Sequence, residues 1–297
     1  MTLIAVVIAL VVERSLSHVL HWREPHWFDR YYPWAEERFI VGRGLAGPAG
    51  ALLALFVPVL PVGLAATLMH DELRGLFWIG FAAMVLVFSF GPRDLADEVD
   101  AYCGAEARGA SDEARAAAEI LVEQDAAQRW QQRASAVEDA VLVQANNRVF
   151  GVLLWFMILG PAGAWAFRVS DLLRRAAIAR LRDAGSDESH ARVAAGVLQQ
   201  IHGVLAWLPA RLLAGSYLIA GTFDDASAGW RAFRADLPRH FFDANDHLLV
   251  YVGRGAIGAQ EGGLPGAPAM AAMRLVRRSF ILWLTLVSIL TLLAWVA

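Results

Sequence analysis

Hydrophobic and polar positions in this chain separate over blocks of roughly twenty residues, the length a helix needs to cross ~30 Å of hydrocarbon. The pattern predicts membrane spans over 3–20, 45–68, 73–90 and 280–297. The first is purely apolar only from Leu3 to Val12, so it reaches spanning length by continuing past Glu13 and Arg14. Those charges either face a partner or a wet cavity, or mark the helix end by reaching into the interface. A secretory signal would carry its basic residues before the apolar run and small residues after it, and neither is present. Pro48, Pro58 and Pro61 are expected to kink or divide the second span.

Two middle segments, 149–169 and 204–220, are apolar but interrupted, one by Gly160, Pro161 and Gly163 with Arg168 at its end, the other by Pro209 and Arg211. The aqueous stretches 13–43 and 93–148 hold five and six Arg, against one, Arg74, at the tip where the second and third spans join. By the positive-inside rule those stretches are cytoplasmic. Full crossings at both middle segments would put the arginines between them outside, so the rule favours broken or re-entrant hairpins, tolerated where they are buried in protein or line a cavity.

Residues 91–148 read as a cytoplasmic helical insert. From Ser111 to Asn147 there is neither Gly nor Pro, and Ala126, Trp130, Ala134, Val137 and Val141 repeat at helical spacing. A second amphipathic helix is predicted from Ser186, with Val193, Val197, Val204 and Leu208 on its packing face. Gly253 to Pro268 reads as a flexible loop. The expected fold is therefore all-α: a polytopic helical membrane protein forming a single integral membrane domain over 1–297. It would have Pro/Gly-broken and re-entrant helices and amphipathic cytoplasmic helices.

Composition sharpens this picture. A hydrophobic share of 57%, eleven Trp and a mean hydropathy of +0.44 exceed what an ordinary soluble domain carries. All 26 basic residues are arginine, which removes lysine-based phosphate loops and Schiff-base chemistry. A net charge of −3 with interspersed signs argues against nucleic-acid binding, leaving membrane lipid and a small anion as the expected partners. One cysteine, Cys103, excludes an intrachain disulfide and a multi-cysteine metal site.

The remaining constellations point to little chemistry. His18, His21 and His26 sit among aromatics and read as interfacial anchoring, and His240, Asp243, Asp246 and His247 read as an ordinary loop. Gly253-Arg254-Gly255 with Gly258 imitates a dinucleotide loop without the strand before it. No resident metal or cofactor is expected. Arg168 and Arg211 stand in broken apolar segments, where a guanidinium is costly without an acidic or phosphate partner, and Asp171 lies one helix turn after Arg168. They either hold kinked helices together as ion pairs or, with Glu13 and Arg93, line a cavity for an anionic ligand.

Several short elements carry a family resemblance. Glu13-Arg14, Gly91-Pro92-Arg93-Asp94-Leu95 with Glu98 and Tyr102, Asn146-Asn147-Arg148 running into Trp155, and Trp207-Leu208-Pro209-Ala210-Arg211-Leu212 resemble the AmpE family. Members of that family are inner-membrane proteins encoded with the AmpD amidase and named for modulating β-lactamase induction. The Pro-Ala-Arg-Leu element and the Gly160-to-Arg168 break are also similar to adenosylcobinamide-phosphate synthase, the CobD/CbiB membrane enzyme of cobalamin assembly. That enzyme carries a Glu-Asn pair followed by Asp, where this chain offers Glu138, Asp139, Asn146 and Asn147 in another order. After the break it has Asn-Thr-Leu-Asp, where this chain has Asp171-Leu172-Leu173-Arg174.

The resemblance implies an AmpE-type regulator, functionally linked to AmpD and not an enzyme, that binds an anionic ligand through Glu13, Arg14, Arg93, Asp94, Asn146, Asn147, Arg168, Asp171 and Arg211. The alternative it implies is a CobD/CbiB-like ligase that uses Mg and ATP to join an amino-alcohol phosphate to a corrinoid carboxylate. Transport through the broken helices would be a third course, but the spans show no inverted repeat.

Overall fold

The structure, a computed structural model, describes residues 26–40, 47–72, 76–90, 94–123, 130–183, 188–238, 242–258 and 266–296. Among them every regular element is helical. In order they are α1 (His26–Ala35), α2 (Pro48–Glu72), α3 (Leu76–Phe90), α4 (Leu95–Ala107), α5 (Ser111–Val122), α6 (Trp130–Ala145), α7 (Gly151–Asp183), α8 (Glu188–Ala220), α9 (Phe223–Ala235), α10 (Asp243–Ile257) and α11 (Ala267–Val296). Glu36–Ile40 and Asn146–Phe150 are π-helical turns. Four stretches are long and apolar enough to cross a membrane: Pro48–Met69, Phe77–Ala107, which includes the undescribed residues 91–93, Gln131–Asp183 and Ser189–Ala220. The expected all-α membrane fold is what the chain adopts. The expected first span, with Glu13 and Arg14, lies outside the described residues, as does Arg93.

The chain forms two compact units, Met1–Pro92 with Gly151–Trp207, and Arg93–Phe150 with Leu208–Ala297. In the first, α7 packs against α2 and α3 around Tyr32, Ile40, Leu55, Val169, Leu173 and Leu198. The opposite side of α2 presents Leu60, Leu64 and Leu68, each more than 60% exposed and four residues apart. A stripe of that kind is costly in water and natural against lipid tails.

Proline does not divide α2, which runs through Pro58 and Pro61 as one helix of 25 residues. Pro58 has no N–H for the carbonyl of Ala54 four residues earlier, and the Tyr31 hydroxyl donates to that oxygen at 2.5 Å instead. The indole of Trp165 donates to the Pro58 carbonyl at 3.0 Å. A side chain from another element thus satisfies the carbonyl that Pro58 leaves without its helical donor. The break in α7 is real: Gly160 has φ +65° and ψ −152°, a conformation open essentially to glycine alone, and Pro161 starts the next helical segment.

The helix read from Ser186 as a cytoplasmic amphipathic piece is the start of α8, a 33-residue helix that includes the segment 204–220. Its packing face also differs from the expected one. Val193 and Val204 are about 60% exposed, while Ala191, Ala194, Ala195 and Leu198 are buried. Between helices in lipid there is little hydrophobic gain, so alanines that allow close approach take the interface and the branched side chains turn outward.

In the second unit α6 packs against α11, α5 and α10, and Ala134, Val137 and Val141 form its buried face as the spacing predicts. The helix expected to run unbroken from Ser111 stops at Glu123, where φ is +58°. That lets α5 pack against α6 and α4. The Gly253-Arg254-Gly255 stretch, expected as loop, is helical within α10. There Arg254 donates to Asp139 at 2.6 and 2.8 Å, and Gly255 and Gly229 let α9 and α10 approach so closely that a Cβ on either would strike the partner's backbone.

Candidate functional site

The polar interior of the second unit is organised by the π-helical turn Asn146–Phe150. A π turn inserts one residue per turn and rotates the register of a helix, and such turns concentrate at functional sites. Here it carries Asn146, Asn147 and Arg148 into the interior, where all three are buried. Arg148 donates from Nη1 to Glu98 Oε2 at 2.7 Å and from Nε to Gln144 Oε1 at 3.2 Å. Asn146 Nδ2 donates to Asn147 Oδ1 at 3.3 Å, while Asn146 Oδ1, fully buried, has no partner among the described residues. An acceptor left without a donor in such a place costs about 1–3 kcal/mol unless a ligand or water supplies one.

Two other candidates of this unit have defined roles. Asp94 is exposed and caps α4, its carboxylate accepting from the Ala96 N–H at 2.9 Å. Arg211, at the second turn of α8 within this unit, donates from Nη1 to Asn245 Oδ1 at 2.7 Å, and Asn245 is itself buried.

In the first unit three guanidinium groups converge on one carboxylate. Asp171 is fully buried, with Arg168 Nη1 at 3.2 Å, Arg174 Nη2 at 2.8 Å and Arg175 Nε at 2.8 Å. The spacings of three and four residues place all of them on one face of α7. Ser170 Oγ lies 3.0 Å from His202 Nδ1 on α8, and both are buried. The pairing of Arg168 with Asp171 is as the sequence implies. Arg174 and Arg175 stand at the same helical spacing from Asp171, whereas His202, more than thirty residues away, carries no signal in the sequence.

Of the candidate residues, then, Asn146 and Asn147 come together with Arg148 and Glu98 in the second unit, and Arg168 comes together with Asp171 in the first. Among the described residues no three His, Cys, Asp or Glu side chains converge on a point that could hold a metal ion. His18, His21 and His240 lie outside the described residues.

Long apolar helices that bury arginine–carboxylate pairs define this chain as a polytopic helical membrane protein with polar sites enclosed between its helices. The model of the family described as CobD/Cbib protein matches residues 6–246, and the chain belongs to that family. It is 27% identical over 267 residues to the cobalamin biosynthesis protein CobD of Chromobacterium violaceum, covering 86% of this chain and 80% of the relative. It is 29% identical over 238 residues to the protein of the same name from Stutzerimonas stutzeri, covering 80% of this chain and 74% of the relative. No solved structure matches the chain.

These matches overturn the AmpE reading, and with it the expectation of a non-enzymatic regulator of β-lactamase induction. The elements that suggested it are short and scattered along the chain. Similarity sustained over most of the chain places it instead with the cobalamin-biosynthesis relatives.

Proposed function

We propose that this protein is a membrane enzyme of cobalamin biosynthesis that joins an amino-alcohol phosphate to a corrinoid carboxylate. The family match across residues 6–246 carries the reading, together with the two relatives named for cobalamin biosynthesis. In the reaction the amine nitrogen forms the amide bond to the carboxyl carbon as one carboxylate oxygen leaves on phosphorus supplied by ATP. Magnesium would enter with the ATP phosphates, as it commonly does at nucleotide sites, and no step here needs a metal held by the protein.

Two features support the assignment of the chain's own residues. Substrate and nucleotide are both phosphate-bearing, and arginine recognises phosphate through its planar fork of donors. Arg168 and Arg211 belong to the two elements most similar to the synthase, and each is already held by a side chain that fixes its direction. In the second unit the buried Asn146 carbonyl oxygen offers an acceptor to a substrate N–H. The arginine-rich stretches 13–43 and 93–148 would face the cytoplasm of a bacterial inner membrane.

Complementation of a strain lacking adenosylcobinamide-phosphate synthase tests this directly. Growth on cobyric acid, with membrane expression confirmed, is the expected result. No growth despite full expression would overturn the proposal.

A further inference from the structure

The end of the chain builds a further polar feature, whose arginines lie beyond the residues that the family match covers. In the second unit a cleft of about 340 Å³ opens between the end of α8, the end of α10 and the start of α11, lined by Gly221, Thr222, Ala256, Arg274 and Arg278 among others. A volume of this order is at the small end of ligand sites and suits a compact head group.

Its polar groups are unmatched among the described residues. Arg274 and Arg278 stand one helix turn apart on the same face of α11, so they repel each other, and neither forms an ion pair with any described residue. Thr222 is the N-cap position of α9, yet its side chain makes no capping hydrogen bond. Its backbone N–H donates to the Ala256 carbonyl at 3.0 Å and fixes that wall of the cleft. Asp224 and Asp225 follow in the first turn of α9 but do not line it.

The surroundings say where an anion would come from. Arg274 and Arg278 lie just before the uncharged run that begins at Phe280, and Ile281 on α11 is 63% exposed. On the other wall Ile219 and Phe223 are 68% and 64% exposed. A pair of guanidinium groups bordered by outward apolar side chains is the arrangement that meets a lipid at the level of its phosphate, with the acyl chains beside it.

We infer that this cleft binds the phosphate of an anionic phospholipid, with Arg274 and Arg278 clamping its oxygens and the Thr222 hydroxyl donating a further hydrogen bond. The site is independent of the amide-forming reaction proposed above, and its test does not depend on catalysis.

The full-length protein in detergent would be exposed to phosphatidylglycerol and chain-matched phosphatidylcholine, and the retained lipid measured by native mass spectrometry. Wild type should prefer phosphatidylglycerol. The R274Q/R278Q variant should lose about 25-fold of that preference, taking about fivefold for each arginine at a membrane surface. R277Q, altered at an arginine outside the cleft, should keep it. Equal retention of the two lipids by wild type, or an undiminished preference in the double variant, would overturn the site. Displacement of phosphatidylglycerol by millimolar inorganic phosphate would overturn the lipid source and give the clamp to a soluble phosphate ester.

Discussion

Arg148 and Glu98, fifty residues apart in sequence, meet at 2.7 Å with both side chains more than nine-tenths buried. The π turn that carries Arg148 also brings Asn146 and Asn147 inside, so one local irregularity of the helix builds the polar interior of the second unit. A pair this enclosed is strongly held only while both members are present, because removing one leaves the other charged and desolvated.

Glu98→Ala should therefore lower stability by about 3–5 kcal/mol. Replacing both residues, as in Glu98→Leu with Arg148→Met, should recover most of the loss. Thermal denaturation of the detergent-solubilised protein reads both. A double variant no more stable than Glu98→Ala would show that the pair does not act as a unit.

Asn146→Leu should behave in the opposite way. Removing the unpartnered Oδ1 offsets the loss of the 3.3 Å bond from Nδ2 to Asn147 Oδ1, so stability should change by no more than about 1 kcal/mol in either direction. Complementation on cobyric acid should nonetheless be lost. A variant that complements normally would remove Asn146 from the site.

Arg211→Ala should leave a well-expressed protein that fails to complement, with Asn245→Ala weakening growth less. Arg211 lies 2.7 Å from Asn245, so the second change loosens the guanidinium without removing it. Unchanged growth with Arg211→Ala would take away its functional role.

Tyr31 and Pro58 should be coupled. Tyr31→Phe leaves the Ala54 carbonyl without its donor and should cost about 1–3 kcal/mol. In a Pro58→Ala background the restored backbone N–H can take over, so the cost should shrink by at least half, as a double-mutant cycle would show.

Burial raises the Tyr31 phenol from its ordinary 10.0 to about 12, and Tyr32 is raised further, by burial first and then by the Glu36 carboxylate that accepts from its hydroxyl at 3.2 Å. For an acid whose folded pKa is raised, the stabilisation is complete below the unfolded value and fades as pH climbs to the folded one. Stability should therefore decline from about pH 10 towards pH 12 for Tyr31, and Tyr31→Phe should flatten that part of the curve. An unfolding midpoint independent of pH over that window in wild type would contradict this.

Gly160→Ala should destabilise by about 1–3 kcal/mol, since φ +65° with ψ −152° excludes a Cβ on conformational grounds even though the space around it is open. Gly80→Ala, at a helical glycine likewise without close neighbours, should be neutral or mildly stabilising. Equal effects in the two variants would show that the break at Gly160 is not required.

The sequence by itself determined the class of this protein. Apolar blocks of spanning length, prolines and glycines at defined places and arginines gathered in the polar stretches follow from the cost of exposing backbone and charge to lipid, which each residue incurs wherever its neighbours lie. The pairing of Arg168 with Asp171 was legible for a similar reason, since helical spacing alone brings them together. Tertiary structure decided the rest. Val193 and Val204 face outward and the alanines inward because helix packing in lipid rewards close approach rather than apolarity, which inverts the rule used to read the face. Pro58 leaves α2 intact because Tyr31 repairs its backbone from another helix. Glu98 finds Arg148, and Arg211 finds Asn245, only across long stretches of chain. No periodicity encodes such contacts, because they depend on which helices become neighbours once the chain has folded.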